Sequence, residues 1–281
     1  MTDIVTVAAL QQRVSGDWEK DKTRLADRVA FAAGKGASLL VLPELFGWRW
    51  FAAGMDKNHF ALAETIDGER VKAYREMAAA NKVALSAPLF LHDGQGQYFD
   101  AVAAIGADGE IAGVYRGVHL PQIPGWEGKF YFSPGEDYPV FDIAGMPVAF
   151  LICWDAFFPE AFRAMALRGA RVIAVLTSAT GTGEDLWIRA LSAQAFFNGL
   201  YVLRVNRVGE EEQATFSGHS FCAAPTGDLM GEPMSDVEGM AFFDIDRRAL
   251  ELTRREFPFL KDRRPRTYLD LANLAVTHRK E

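Results

Sequence analysis

Along the chain, short apolar runs alternate with longer stretches in which apolar positions recur every three or four residues. Val5-Thr6-Val7-Ala8-Ala9-Leu10 reads as a buried strand. Asp17 to Ala33 reads as a helix, because Leu25, Val29 and Ala32 return at spacings of three and four with charges between them. Ala37 to Leu42 is a second buried strand, halted by Pro43. Gly68 to Ala80 is helical, and Val83 to Phe90 and Ala101 to Ile105 are strand-like. The turn Gly106-Ala107-Asp108-Gly109 leads into Ile111 to Tyr115, which predicts a hairpin. The second half repeats this grammar, with strands over 146–152, 171–176 and 201–205 and helices over 159–168 and 185–197. A hairpin-like pair, Gly218 to Ala223 and Met240 to Ile245, is expected around Pro225-Thr226-Gly227-Asp228. Strands alternating with helices and closing in hairpins predict an α/β fold of mixed sheets with helices outside. The two similar halves suggest a sandwich of two such sheets.

Composition narrows the class. At 281 residues, 49% hydrophobic and 24% charged, the chain can bury one large core. It has no low-complexity segment or linker, so 1–281 reads as a single domain with a C-terminal extension from about residue 255. A net charge of −7 argues against a nucleic-acid or membrane-surface binder. Arg254-Arg255, Arg263-Arg264 and Arg266 lie among acids and prolines and read as a solvated segment. The two cysteines, Cys153 and Cys222, form neither a CxxC pair nor a Cys/His ligand set, so no metal site and no disulfide scaffold are expected. The longest apolar runs, about eight residues, fall short of the roughly 20 of a membrane span, and the N-terminus lacks a signal-peptide pattern. A cytoplasmic protein is the expectation.

Two residues stand where chemistry is possible. Cys153 ends the apolar run Val148 to Ile152, and Pro159-Glu160 can open a helix shortly after. A thiol at a strand-to-helix turn can meet a substrate, and the positive end of a helix dipole favours its thiolate. A free cysteine also serves as a small core residue, which is the reading for Cys222 in Phe221-Cys222-Ala223-Ala224. Glu44 follows another buried strand, where a carboxylate is costly unless it has a partner or a task. It can act as a general base toward the thiol, or as a loop-capping acid.

These pieces carry a resemblance. Pro43-Glu44-Leu45-Phe46 is similar to the glutamate motif of the nitrilase superfamily of carbon–nitrogen hydrolases. Ile152-Cys153-Trp154-Asp155 with Phe158-Pro159-Glu160 is similar to its cysteine motif. Tyr115-Arg116, His119-Leu120-Pro121, Pro124-Gly125 and Lys129 to Gly135 resemble the region between. Asn206-Arg207-Val208-Gly209, Gly218-His219-Ser220-Phe221, Pro225-Thr226-Gly227 and Arg263-Arg264-Pro265 with Tyr268 resemble later landmarks. The resemblance covers nearly the whole chain and is strongest to the branch of N-carbamoylputrescine amidase and other N-carbamoyl amine or amide hydrolases. It implies a nitrilase-like α-β-β-α sandwich of two mixed sheets, helices on both outer faces, and a homodimer or larger homo-oligomer. It further implies a small-molecule substrate, no metal or organic cofactor, and an acyl-enzyme thioester on Cys153. In that scheme Glu44 is the base, and the backbone N–H following the nucleophile, on Trp154, is an oxyanion donor.

The sequence departs from the family pattern at two places. A lysine is expected two residues before the histidine, where Gly117 stands. A second glutamate is expected directly before Lys129, where Gly128 stands, with Glu127 one step away. Asp100 occupies a position where the family often has asparagine. Losing one oxyanion donor costs about 10²–10³ in rate. Three readings follow. The protein is a catalytically impaired nitrilase-fold protein that binds a ligand or protein partner. Or another cation has moved in: Arg204, which interrupts an apolar strand and faces the same way as Asn206, or Arg49 on the loop after Glu44; His119 and Lys129 occur in the family anyway. Or a bulkier or cationic substrate supplies the charge, since losing lysine and glutamate together preserves net charge and opens volume. Trp126 belongs to a set of aromatics able to line the pocket mouth. An acyl transferase, with an amine resolving the thioester, is a further class.

Overall fold

Side-chain alternation along the first strand, β1 (Ile4–Gln11), divides the protein into two cores. Val5, Val7 and Ala9 join one buried apolar cluster, while Ala8 and Leu10 join the other, as a period of two requires. This is seen in a computed structural model that describes residues 3–181 and 183–272. After β1 come α1 (Trp18–Gly34), β2 (Leu39–Val41), α2 (Glu69–Asn81), β3 (Ala84–His92), β4 (Tyr98–Ile105), β5 (Ile111–Arg116) and the short α3 (Gly128–Tyr131). The second half runs β6 (Phe141–Ile143), β7 (Met146–Ile152), α4 (Pro159–Leu167), β8 (Val172–Thr177), α5 (Glu184–Asn198) and β9 (Tyr201–Asn206). It closes with the hairpin β10 (Val208–Glu211) and β11 (Ala214–Ser217), then β12 (Phe221–Ala223), β13 (Gly239–Asp246) and α6 (Arg247–Glu256).

The strands form a six-stranded sheet in the order β13-β1-β2-β3-β4-β5 and a five-stranded sheet in the order β12-β9-β8-β7-β6. Each has parallel central strands and antiparallel flanks. One face of the first sheet packs on α1 and α2 through Leu25, Val29, Val71 and Tyr74. Its other face meets the second sheet, which carries α4 and α5 through Phe162, Met165, Leu191 and Ala195. The result is the α-β-β-α sandwich with mixed sheets that the alternating pattern predicts. Local signals set the element ends: the Asp17 carboxylate accepts the N–H groups of Glu19 (3.1 Å) and Lys20 (3.4 Å) at the start of α1.

One expected pairing does not form. Phe221–Ala223 pairs with β9, whereas Gly239–Asp246 pairs with β1 over Ile4↔Asp246 to Gln11↔Gly239, in the other sheet. The turn at 225–228 instead closes a short antiparallel bridge, Ala223↔Leu229, with the Ala224 N–H donating to the Asp228 carbonyl at 2.8 Å. An apolar run states that a strand is buried but not which open edge receives it. The sequence reading also passed over β6, β10, β11 and α6. Val208-Gly209-Glu210-Glu211 lacks apolar alternation, and α6 buries only Leu250 and Thr253. Of the expected C-terminal extension, residues 273–281 lie outside the described residues. Among the described residues no helix is long and apolar enough to cross a membrane.

Two features aim the fold at its site. The parallel strands β2, β7 and β8 deliver Glu44, Cys153 and Ser178 just beyond their carboxyl ends, the usual place for ligands in sheets of this kind. β5 is seated against the second sheet by a close approach at Gly113, where an added Cβ would lie 2.5 Å from Phe141 Cε1. Gly113→Val is therefore expected to overpack this contact and lower stability by about 1–3 kcal/mol, read as a fall in the urea midpoint at constant slope.

Candidate active site

Cys153 leaves β7 with φ 37°, in the left-handed region, and opens one 3₁₀ turn ending at Phe157. Such backbone costs about 1–3 kcal/mol and persists only where neighbours over-determine it. The fully buried Asp155 supplies that bracing. Its Oδ2 accepts the Ile152 N–H (3.2 Å) and the Tyr115 hydroxyl (2.5 Å), and its Oδ1 accepts the His119 N–H (2.7 Å). The His119 ring is locked in turn, with Nδ1 3.0 Å from Asp155 Oδ1 and its face stacked on Phe158 at 3.5 Å between centroids.

Glu44 sits on a loop held by Arg207, which is wholly buried at the end of β9. The guanidinium donates to the carbonyls of Glu44 (2.8 Å), Leu45 (3.1 Å) and Trp48 (3.2 Å), and to the Glu211 carboxylate (2.8 Å). Ser178 Oγ donates to the Glu44 carbonyl at 3.3 Å. With Leu45 at φ 48° and Gly47 at φ 92°, the loop depends on these external donors for its shape.

Cys153, Glu44 and Asp100 line one narrow cavity of about 20 Å³, together with Gly117, His119, Trp126, Gly128 and Trp154. Trp154 is the second residue of the 3₁₀ turn, where the first backbone N–H groups lack partners within the turn. Glu44 and Asp100 lie within hydrogen-bonding reach of each other. Burial raises the Glu44 carboxyl, against the opposing pull of Asp100, the Arg207 charge and Ser178. Burial, followed by the Glu44 charge, holds Asp100 well above the ordinary carboxylate range. Burial also pushes the Cys153 thiol up, with the Glu44 charge acting in the same direction and the Ser178 backbone N–H and Arg204 opposing. The stabilisation of a thiolate expected from a helix N-terminus is outweighed at Cys153 by desolvation, with only a short 3₁₀ segment directly after the cysteine.

The other candidates fall into two groups. Trp126, His119, Gly117 and Gly128 line the cavity. Arg204 lies outside its lining, fully buried, with its guanidinium 4.6 Å from the centre of the Trp187 ring and Nη1 donating to the His219 carbonyl at 3.2 Å. Burial lowers it to about 10, leaving it charged and within electrostatic range of Cys153. Arg49 is exposed, donating to the Ser15 carbonyl (3.1 Å) and pairing with Glu212 (3.5 Å), away from the cavity. The Glu127 carboxylate accepts from Gln122 and does not line the cavity. Asn206 braces loops through Thr177, Ala179 and Gly218 (2.8–3.0 Å). Sequence reasoning assigned no role to Asp100 or Arg207. Their signal was the same in each case, a charge embedded in or abutting an apolar strand.

The family model for carbon-nitrogen hydrolases matches residues 6–255. The chain belongs to this family. It is 34% identical to a citrullinase of Francisella tularensis subsp. tularensis, over 94% of this chain and 96% of that protein. It is 32% identical to an N-carbamoylputrescine amidase of Solanum tuberosum, over 96% of each. Its fold is that of a carbon-nitrogen hydrolase from Helicobacter pylori G27, with a TM-score of 0.92 and 30% identity, covering 96% of this chain and 98% of that one.

Two measurements follow from these electrostatics. The raised Asp100 means that the folded protein keeps a proton that the unfolded chain releases, so stability declines as pH rises above the ordinary carboxyl value of 3.8. Asp100→Asn removes that decline. It is expected to be more stable than the parent at neutral pH, with the gap closing on acidification below 3.8, in urea titrations across pH. Alkylation of Cys153 by iodoacetamide is expected to be slow at neutral pH and to keep rising above pH 9.0, the ordinary thiol value, when followed by mass spectrometry.

Proposed function

We propose that this carbon–nitrogen hydrolase acts on small N-carbamoyl amines or amides through a thioester on Cys153. The observation that carries the proposal is the convergence of the Cys153 thiol and the Glu44 carboxyl on one cavity at the ends of β7 and β2. Citrulline and N-carbamoylputrescine, the compounds in the relatives' names, share a terminal ureido group and an amine.

In the proposed reaction, Glu44 takes the thiol proton as sulfur bonds to the carbonyl carbon. The carbonyl oxygen becomes an oxyanion facing the Trp154 N–H, a preorganised donor. Collapse breaks the C–N bond, and Glu44 returns the proton to the departing nitrogen. A water then gives a proton to Glu44, attacks the thioester carbon and regenerates the thiol. Arg204, buried within electrostatic range of the sulfur, is a fixed positive charge that favours the thiolate. The glycine at 117 favours a second reading, a ligand-binding protein with an impaired site, because no lysine or arginine lines the cavity.

The two readings separate in one experiment. Parent, Cys153→Ala and Gly117→Lys proteins are incubated with N-carbamoyl amines, ω-amides and simple amides, following ammonia and the mass of Cys153. Hydrolysis requires turnover by the parent, with an acyl increment on Cys153 and complete loss in Cys153→Ala. Turnover by Gly117→Lys alone establishes the ligand-binding reading.

A further inference from the structure

Two acids that line this cavity each keep one carboxyl oxygen without a donor. Glu44 and Asp100 are only 4% and 5% exposed, and both line the cavity wall. Glu44 Oε2 and Asp100 Oδ1 receive no hydrogen bond from the described residues. The nearby guanidiniums are engaged elsewhere, Arg207 with backbone carbonyls and Glu211, and Arg204 with the His219 carbonyl and Trp187. Asp100 keeps a proton that it can share with Glu44, and the carboxyl oxygens left without a donor can accept from an N–H-bearing group.

The space for such a cation lies beside them. Gly117 stands opposite Asp100, one step beyond the Ala101↔Arg116 ladder pair, and donates its N–H to the Asp100 carbonyl at 2.9 Å. A Cβ at Gly117 would point into ordinary contact, with nothing nearer than 3.5 Å. Trp50 and Trp126 also line the cavity, and an aromatic lining suits a cation. A metal ion fits less well, since the described residues offer no group of three His, Cys, Asp or Glu side chains arranged to hold one. The oxygens instead match a compact cation with several N–H donors.

We infer that the space beside Gly117 binds a primary ammonium group, held by the Glu44 and Asp100 carboxyls next to the Cys153 thiol. The ammonium comes from the amine of the substrate or from a free amine. Its catalytic meaning, a positive charge that promotes thiolate and faces the oxyanion, rests on the Cys153–Glu44 chemistry proposed above; its binding does not.

The test uses methylammonium chloride on the full chain at neutral pH and constant ionic strength, with potassium and tetramethylammonium chloride as controls. Binding is read as a saturable rise in the unfolding midpoint. The rise is expected with methylammonium alone, and is expected to be absent in Gly117→Lys and weakened in Asp100→Asn. Iodoacetamide labelling of Cys153 is expected to quicken about tenfold in the parent, as a thiol beside a new positive charge loses one unit or more of pKa. Gly117→Lys should label at the faster rate without amine. A midpoint that ignores methylammonium, or that potassium raises equally, overturns the site. A midpoint shift with Cys153 inert in every variant keeps the site and overturns the thiol chemistry. The source of the ammonium is read from turnover. An ω-amino ureido compound reacting without additive, beside a neutral alkylurea that needs methylammonium, identifies the substrate's own amine; a requirement for methylammonium by both identifies the free amine.

Discussion

Burying two carboxyls and a thiol in one cavity is the constraint around which the rest of the molecule is arranged. Burial raises both Glu44 and Asp100, and the Glu44 charge raises Asp100 further while Asp100 eases the ionisation of Glu44. The scaffold answers with donors fixed on independent elements. Arg207 reaches from the end of β9 in one sheet to the loop after β2 in the other. Asp155 ties the turn after β7 to Tyr115 on β5 and to His119 beyond it. The two sheets are therefore joined by polar contacts at the site as well as by apolar packing beneath it. Breaking a buried charged contact of this kind costs about 3–5 kcal/mol.

The same burial raises the Cys153 thiol. A cysteine at a strand-to-helix junction is expected to gain from the helix dipole, yet here the dipole belongs to a single short turn while desolvation acts on the whole side chain. The thiol is neutral until a base or a cation changes the balance. Arg204 supplies fixed charge within electrostatic range of the sulfur, but it is packed on Trp187 and does not line the cavity.

Much of this was legible in the sequence. The period-two runs and the amphipathic spacing of Leu25, Val29 and Ala32 predicted the strands and helices whose cores are seen, and Met146–Ile152 was placed to the residue. Cys153 and Glu44 could be singled out because each ends a buried run. What could not be read was partnership across distance. The β13 strand looked like half of a hairpin because apolar alternation is blind to sheet edges. Arg204, interrupting an apolar strand, and Arg49, on the loop after Glu44, are both candidate cations in the sequence, and the fold separates them: Arg49 is solvated and Arg204 is packed on Trp187. Asp100 gave no sign of facing Glu44, since β4 and the loop after β2 are brought together only by the sheet between them.

Gly117 adopts ordinary ladder backbone, hydrogen-bonded on both sides to Asp100 and Gly135. Glycine is not required there for its conformational freedom, in contrast to Gly47 or Gly125 with their positive φ. At such a position a change to alanine is compatible with the fold and stabilises it by about 0.4–1 kcal/mol through the unfolded chain alone. Folding thus gives this residue no protection against mutational drift. If glycine is retained among descendants of this gene, what is being inherited is the emptiness itself, a volume kept vacant for something the chain does not encode.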